Sequence, residues 1–499
     1  MNPADPHPAS AYLAHATAVE IAADLVSGRT TSVAVTRALL DRIAAVDGPG
    51  RINLRAVLAL APDALAVAEQ LDAERAAGRV RGPLHGVPVL VKDNIEAVGL
   101  PGSAGSLALA DRTVARDAPL VARLRDAGLV VLGATNLSEW ANIRSSRSTS
   151  GWSAVGGLTG NPWALDRSAG GSSSGSGAAV AGGLSPLAVG TETDGSITCP
   201  SSLNGCVGLK PTVGLLPTEG IVPISGSQDA PGPMARTVRD VGLLLDALSR
   251  SSRYGAACGT APLLDIRLGA ALAWLTGHPA TDTLFHATLE LLGARGAEIS
   301  VATVPSPNAI AADELTVLLA ELHDDLNAYL ASRVGDGPRS LAEVVAFNSE
   351  HAASELAHFG QDLFEQALAS GGRAAARYIE ARARCLRWAI EECLEPAFGA
   401  NEAPELLIAP AYGPAWKSDL VAGDQVAGGG LASTAPSIAG WPVLCLPMGL
   451  AAGLPVGMVL IGRPHCEARL LAVGHALEEA LDLRSGNASA PTWVPPARG

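Results

Sequence analysis

Lysine is almost missing from this chain: 499 residues include three, Lys92, Lys210 and Lys417, against 32 arginines. Where positive charge alone is needed the sequence uses Arg, so a position that keeps Lys is marked for something Arg cannot do. Arg stays protonated, whereas a desolvated Lys can give up its proton. Basic charge is scarce altogether, and the net charge of −14 argues against nucleic acid and anionic membrane surfaces as partners. Long hydrophobic runs are lacking too; none approaches the ~18 uninterrupted apolar residues of a membrane span. Residues 1–6, Met-Asn-Pro-Ala-Asp-Pro, lack a basic stretch followed by an apolar one, so no signal peptide is expected and the cytoplasm is the expected location, with room for a leader removed earlier. No CxxC pair occurs among the seven cysteines, which predicts free, mostly buried thiols in a reducing compartment. Aromatics (4%) and charged residues (17%) are few, while Ala and Gly are abundant, which is a globular composition and not a disordered one.

Apolar periodicity predicts an α/β chain. Residues 17–48 read as two amphipathic helices broken near Gly28, with Thr30, Thr31 and Ser32 as N-cap candidates, and 61–77 as another helix. The run Val87-Pro88-Val89-Leu90-Val91 reads as a buried strand with Lys92-Asp93-Asn94 at its carboxyl end, where ligand sites of open α/β sheets lie. Helix 118–127 and strand 129–132 continue the alternation. Helix 177–184 and strand 186–190 follow, then a turn at 208–212, a loop at 226–236 and helix 237–250. Residues 280–295, 307–332, 340–370 and 372–395 read as long helices; strands return at 406–408, 443–446 and 457–461, before helix 466–480. With neither repeat nor linker, one domain over 1–499 is expected. N-terminal helices occupy 15–80, an α/β core 81–250 and 400–480, and a helical insertion over a substrate channel 270–398.

The chemistry centres on two small-residue segments, Gly170-Gly171-Ser172-Ser173-Ser174-Gly175-Ser176-Gly177 and Thr191-Glu192-Thr193-Asp194-Gly195-Ser196-Ile197. Both adjoin apolar stretches, so their glycines lie inside packed structure, and their hydroxyls need partners because an unpaired buried one costs about 1–3 kcal/mol. Helix caps and turn hydroxyls account for most such clusters, but not for a second serine turn together with a lone Lys at a strand end. Gly171–Gly175 formally matches GxSxG with Ser173 at the tip, and His465 follows a late strand. That elbow requires a strand immediately before it, and Asp166-Arg167-Ser168-Ala169 is polar. SxxK fails, because Val89, Val207 and Pro414 stand three residues before the lysines. No GxxxxGK phosphate loop exists. A serine hydrolase activated by lysine remains: a neutral amine acts as base through a relay, and the turn at Asp194-Gly195-Ser196 aims N–H groups at an oxyanion.

Gly86-Val87-Pro88-Val89-Leu90-Val91-Lys92-Asp93-Asn94, the run 170–177, Gly195-Ser196-Ile197 and Gly208-Leu209-Lys210-Pro211-Thr212 together resemble the amidase signature family, from about residue 15 to 480. The resemblance implies an α/β/α sandwich around a central mixed, mostly parallel sheet, and an acyl-enzyme mechanism without metal or cofactor. Lys92 is then the base, Ser172 the bridging serine after a cis peptide, and Ser196 the nucleophile, 24 positions on. Backbone N–H groups of Thr193, Asp194, Gly195 and Ser196 form the oxyanion hole, and Ser173 supports the lysine. Many members read Gly-Gly-Ser-Ile-Arg; here Asp194-Gly195-Ser196-Ile197-Thr198 offers no cation to a free-acid substrate, which also argues against the glutamine-using amidotransferase subunit. Ser138-Glu139-Trp140-Ala141-Asn142 and Ser227-Gln228-Asp229 look most like the branch that removes the C-terminal amide of peptides. In that branch Asn142 contacts the substrate amide and Gln228 and Asp229 lie near it; a turn role for Asn142 and a loop-organising role for Asp229 stand beside this. The expected partner is a small-molecule or peptide amide, and the expected state a monomer or homodimer. The alternatives are a broad aryl-acylamide, ester or carbamate hydrolase of the same family, and a non-catalytic partner-binding subunit.

Overall fold

The computed structural model describes residues 12–482 apart from 51, 112–113, 400–403 and 427, so the N-terminal stretch read for a leader lies outside the described residues. Eleven strands form one sheet. In chain order they are β1 Val57–Leu60, β2 Pro88–Lys92, β3 Val130–Thr135, β4 Leu187–Glu192, β5 Val207–Lys210, β6 Ala230–Ala235, β7 Arg267–Ala270, β8 Glu298–Val301, β9 Leu406–Pro410, β10 Val443–Ala451 and β11 Leu454–Ile461. Across the sheet they run β1-β3-β2-β4-β6-β5-β10-β11-β9-β7-β8.

The sheet is mixed, as expected, but its balance differs from the expectation. Only β2 with β3 and β4, and β7 with β8 and β9, pair in parallel; the other six contacts are antiparallel. The helix–strand alternation that implies parallel pairing covers β2 to β4. The middle of the sheet is made from β5 and β6, read above as a turn and a loop, and from the hairpin β10–β11. Pro231 and Pro233 obscure β6 in the sequence. They sit two residues apart, so the N–H groups they lack face one edge, and the other edge pairs with β4 from Ala230 to Ala235. β5 joins β6 only at Met234 and Ala235.

The N-terminal helices match the sequence closely. Ala18–Ser27 starts in a capping box of Thr17 with Glu20, and Thr31 caps Ser32–Val46. The two later long helices are broken. Residues 340–370 divide into Leu341–Glu350, Ala352–Glu355 and Asp362–Leu368, and in the gap before the last of these the Arg144 guanidinium donates to the carbonyls of Phe359 and Gly360. Ala376–Leu386 passes through a π-helical stretch, Arg387–Leu394, into Glu395–Phe398. The segment expected to be helical also contributes β8 to the sheet edge.

β2 is buried at every residue, and β4 likewise. A strand flanked on both sides by parallel neighbours and covered on both faces reads as a continuous apolar run, and each such Val or Leu contributes about 1.5–3 kcal/mol on burial. The parallel register, Val91 opposite Val189, brings Lys92 and Thr191 side by side at the same carboxyl edge.

Candidate active site

Lys92 ends β2 with its side chain fully buried. Its Nζ lies 2.8 Å from Ser172 Oγ, 2.9 Å from Thr191 Oγ1 and 3.3 Å from the Thr191 carbonyl. All three partners are uncharged, so nothing in contact compensates a buried positive charge. Burial therefore lowers the amine from 10.5 to about 7, against the smaller opposing pull of the Asp229 and Glu192 carboxylates. Asn94, two residues on, donates its Nδ2 to Thr191 Oγ1 at 3.0 Å. Ser173 Oγ accepts from the Thr191 N–H at 3.2 Å and donates to the Thr191 carbonyl at 3.1 Å. Ser173 thus holds the residue that in turn bonds the lysine.

Ser172 follows a cis Gly171-Ser172 peptide and precedes the buried helix Ser174–Ala181. Gly171 is required there by crowding: a Cβ at that position would stand 2.9 Å from Ser150 Oγ and closer still to Ser138 Oγ. The Ser173 N–H donates to the Ser196 carbonyl at 3.1 Å, which draws the second serine segment against the first.

After β4 the chain turns through residues 193–196 into the helix Thr198–Asn204. Glu192 organises this turn. One carboxylate oxygen accepts from the Ile197 N–H at 2.6 Å, the Thr198 N–H at 2.8 Å and the Thr198 hydroxyl at 3.2 Å. The four preceding N–H groups, of Thr193, Asp194, Gly195 and Ser196, have no acceptor among the described residues. Gly195 has φ +80°, and a Cβ there would meet the Tyr412 hydroxyl at 2.6 Å, so two separate constraints select glycine. Asp194 accepts from the Thr434 hydroxyl at 3.0 Å. Burial raises its carboxyl, and it also raises Glu314, whose second cause is the charge of Asp194.

Asp229 accepts from the Thr193 hydroxyl at 2.6 Å and from the Ile224 and Ser225 N–H groups at 2.8 and 3.0 Å, so it organises its loop and anchors the turn. Gln228 donates to Glu314 at 3.0 Å, and its side-chain oxygen is buried without a partner. Asn142 ends three consecutive left-handed residues, with φ 48° at Trp140, 54° at Ala141 and 74° at Asn142. Its Nδ2 donates to Ser150 Oγ at 3.0 Å while its Oδ1 is buried without a partner. Beside the turn opens a cavity of about 730 Å³, lined by Asn94, Thr191, Thr193 and Asp229 on one side and by Ala141 and Tyr329 elsewhere. Tyr329 belongs to the helix Ala311–Ser332, which also carries Glu314.

The elbow reading fails on different ground from that expected. Residues 164–168 do form a strand, in spite of their polarity, but it pairs with Gly160–Asn161 outside the eleven-stranded sheet. Ser173 is fully buried and both hydrogen bonds of its hydroxyl go to Thr191, while the His465 N–H donates to Thr212. Lys210 is fully buried with Nζ 3.4 Å from the Pro211 carbonyl; burial lowers it to about 8. Thr191, Glu192, Tyr412 and Glu314 were not singled out from the sequence. The first two sat inside a quoted segment; the others come from distant elements with no local motif. All seven cysteines are free, and six are buried. Among the described residues no group of three or more His, Cys, Asp or Glu side chains is arranged to hold a metal, and no helix is long and apolar enough to cross a membrane.

The chain is 34% identical to a subunit of the glutamyl-tRNA(Gln) amidotransferase of Salinispora tropica, over 93% of its own length and 97% of the relative's. A solved peptide amidase in complex with the competitive inhibitor chymostatin superposes with TM-score 0.90 at 42% identity, covering 98% of this chain and all of that one. Native peptide amidase from Stenotrophomonas maltophilia gives TM-score 0.88 at 42% identity over 95% and 98% of the two chains. The profile of the amidase family matches residues 34–471, most of the chain, and the protein belongs to the amidase signature family of amide C–N hydrolases.

Proposed function

We propose that the protein removes the C-terminal amide of peptides as ammonia, through an acyl-enzyme on Ser196. Neutral Lys92 takes a proton from Ser172 as Ser172 takes one from Ser196, and Ser196 Oγ attacks the carboxamide carbon. The N–H groups of residues 193–196 receive the oxyanion. Collapse breaks the C–N bond, the proton returns through Ser172 to the departing ammonia, and water releases the acid. The observation that carries this reading is the fully buried Lys92 amine 2.8 Å from Ser172 with only uncharged partners.

The substrate class is supported by the two peptide amidase structures, at higher identity than the amidotransferase relatives. Those relatives favour a second reading, a glutamine-using subunit. Against it stands Thr198, buried and bound through N–H and hydroxyl to Glu192, which offers no cation to a free carboxylate. Ammonia release from a peptide amide, from free glutamine and from an anilide separates the readings. The peptide amide is expected to be fastest; glutamine turnover in its place overturns the proposal.

A further inference from the structure

Asn142 does not choose its own orientation. Its Nδ2 lies 3.0 Å from Ser150 Oγ, and Ser150 Oγ lies 2.5 Å from one carboxylate oxygen of Asp424. The other Asp424 oxygen accepts from the Ser150 N–H and the Trp416 indole N–H, both at 3.0 Å. Indole and backbone N–H groups can only donate, so that oxygen accepts twice, and the other oxygen of the ionised carboxylate accepts from the Ser150 hydroxyl. Ser150 has one proton, which goes to the carboxylate, and its oxygen is left only to accept. The Asn142 amide must therefore turn its NH2 toward Ser150 and its carbonyl oxygen away. That oxygen is the one buried without a partner. The relay stands against the reacting centre, since Ser150 Oγ is 2.9 Å from where a Gly171 Cβ would be, and Ala141 lines the cavity.

We propose that Asp424 and Ser150 are positioning residues that hold Asn142 as a hydrogen-bond acceptor for an N–H on the acyl side of the substrate, the peptide N–H of the residue bearing the carboxamide. The acyl side is assigned because the small leaving ammonia departs at Ser172, whereas the cavity beside Ala141 has room for the remainder. This rests on the peptide amide reading above and extends it to a rule: substrates with N–H at that linkage are selected over those with oxygen. The polarity is reversible. In Asp424→Asn, the amide oxygen stays with the two obligate donors and the new NH2 donates to Ser150. Ser150 then gives its proton to Asn142, which flips and presents NH2. Adding Asn142→Asp restores an acceptor, because one aspartate oxygen takes the Ser150 proton and the other faces the substrate.

The test measures kcat/KM for a peptide amide and for its depsipeptide analogue, with an ester oxygen replacing that N–H and the same terminal carboxamide. The wild type is expected to favour the N–H substrate by roughly tenfold or more, the effect of leaving a buried acceptor unpaired. Asp424→Asn is expected to bring the ratio to one or below, Ser150→Ala to reduce it, and the Asp424→Asn/Asn142→Asp double variant to restore it. A purely structural Asp424 slows both substrates alike and leaves the ratio unchanged, which overturns the proposal. So does a double variant whose ratio stays flat. A wild type that releases no ammonia from either substrate instead refutes the peptide amide reading itself.

Discussion

The pH dependence of turnover follows from the surroundings of one amine. Burial lowers Lys92 from 10.5 to about 7. At 1.36 kcal/mol per decade this is roughly 5 kcal/mol of preference for the neutral form. Half of the enzyme then holds a usable base near pH 7, on the order of a thousand times the fraction an ordinary lysine provides. kcat/KM for a peptide amide should rise about tenfold per pH unit below that point and level off above it. Sign and cause are checked with Asp229→Asn. The Asp229 charge favours protonated Lys92, so its removal moves the acid limb to lower pH. Lys92→Met should abolish the limb and cost roughly 10²–10⁴ in rate. The assay is continuous ammonia release from pH 5 to 10 at fixed ionic strength. A rate that keeps climbing past pH 9, or a limb that moves to higher pH in Asp229→Asn, refutes the reasoning.

Two further outcomes concern stability. Arg144 and Glu139 form an ion pair at 2.7 Å with both side chains fully buried; Arg144→Met should lower unfolding free energy by about 3–5 kcal/mol, read from denaturant midpoints. Glu314 has its carboxyl raised from 4.5 by burial, so the native state holds the proton more tightly than the unfolded chain. Its contribution is complete below pH 4.5 and is lost as pH rises through the folded value; Glu314→Gln should flatten that part of the Tm–pH curve.

The site was more legible in the sequence than the sheet that carries it. Lys92 stood out because a chain that uses Arg for charge kept a lysine at a strand end. The two serine segments stood out because small polar residues lay between apolar runs. Both signals are local. The antiparallel middle of the sheet was hidden because Pro231 and Pro233 read as loop residues, yet their missing N–H groups face a single edge. Asp229 shows how a local motif and a tertiary role diverge: it organises its own loop and also holds Thr193. Glu314, Tyr412 and Asp424 reach the site from elements that pack there only in three dimensions, and each is an ordinary helix or loop residue in sequence.

The central claim is that Lys92, acting through Ser172, makes Ser196 the nucleophile. A fluorophosphonate probe tests it most directly, since attack forms a phosphorus–oxygen bond and expels fluoride, and peptide mass spectrometry locates the adduct. The expected result is a single adduct on Ser196 in the wild type, formed at least a hundredfold more slowly in Lys92→Met. An adduct on Ser172 or Ser173, or labelling of Ser196 at an undiminished rate without the amine, contradicts it.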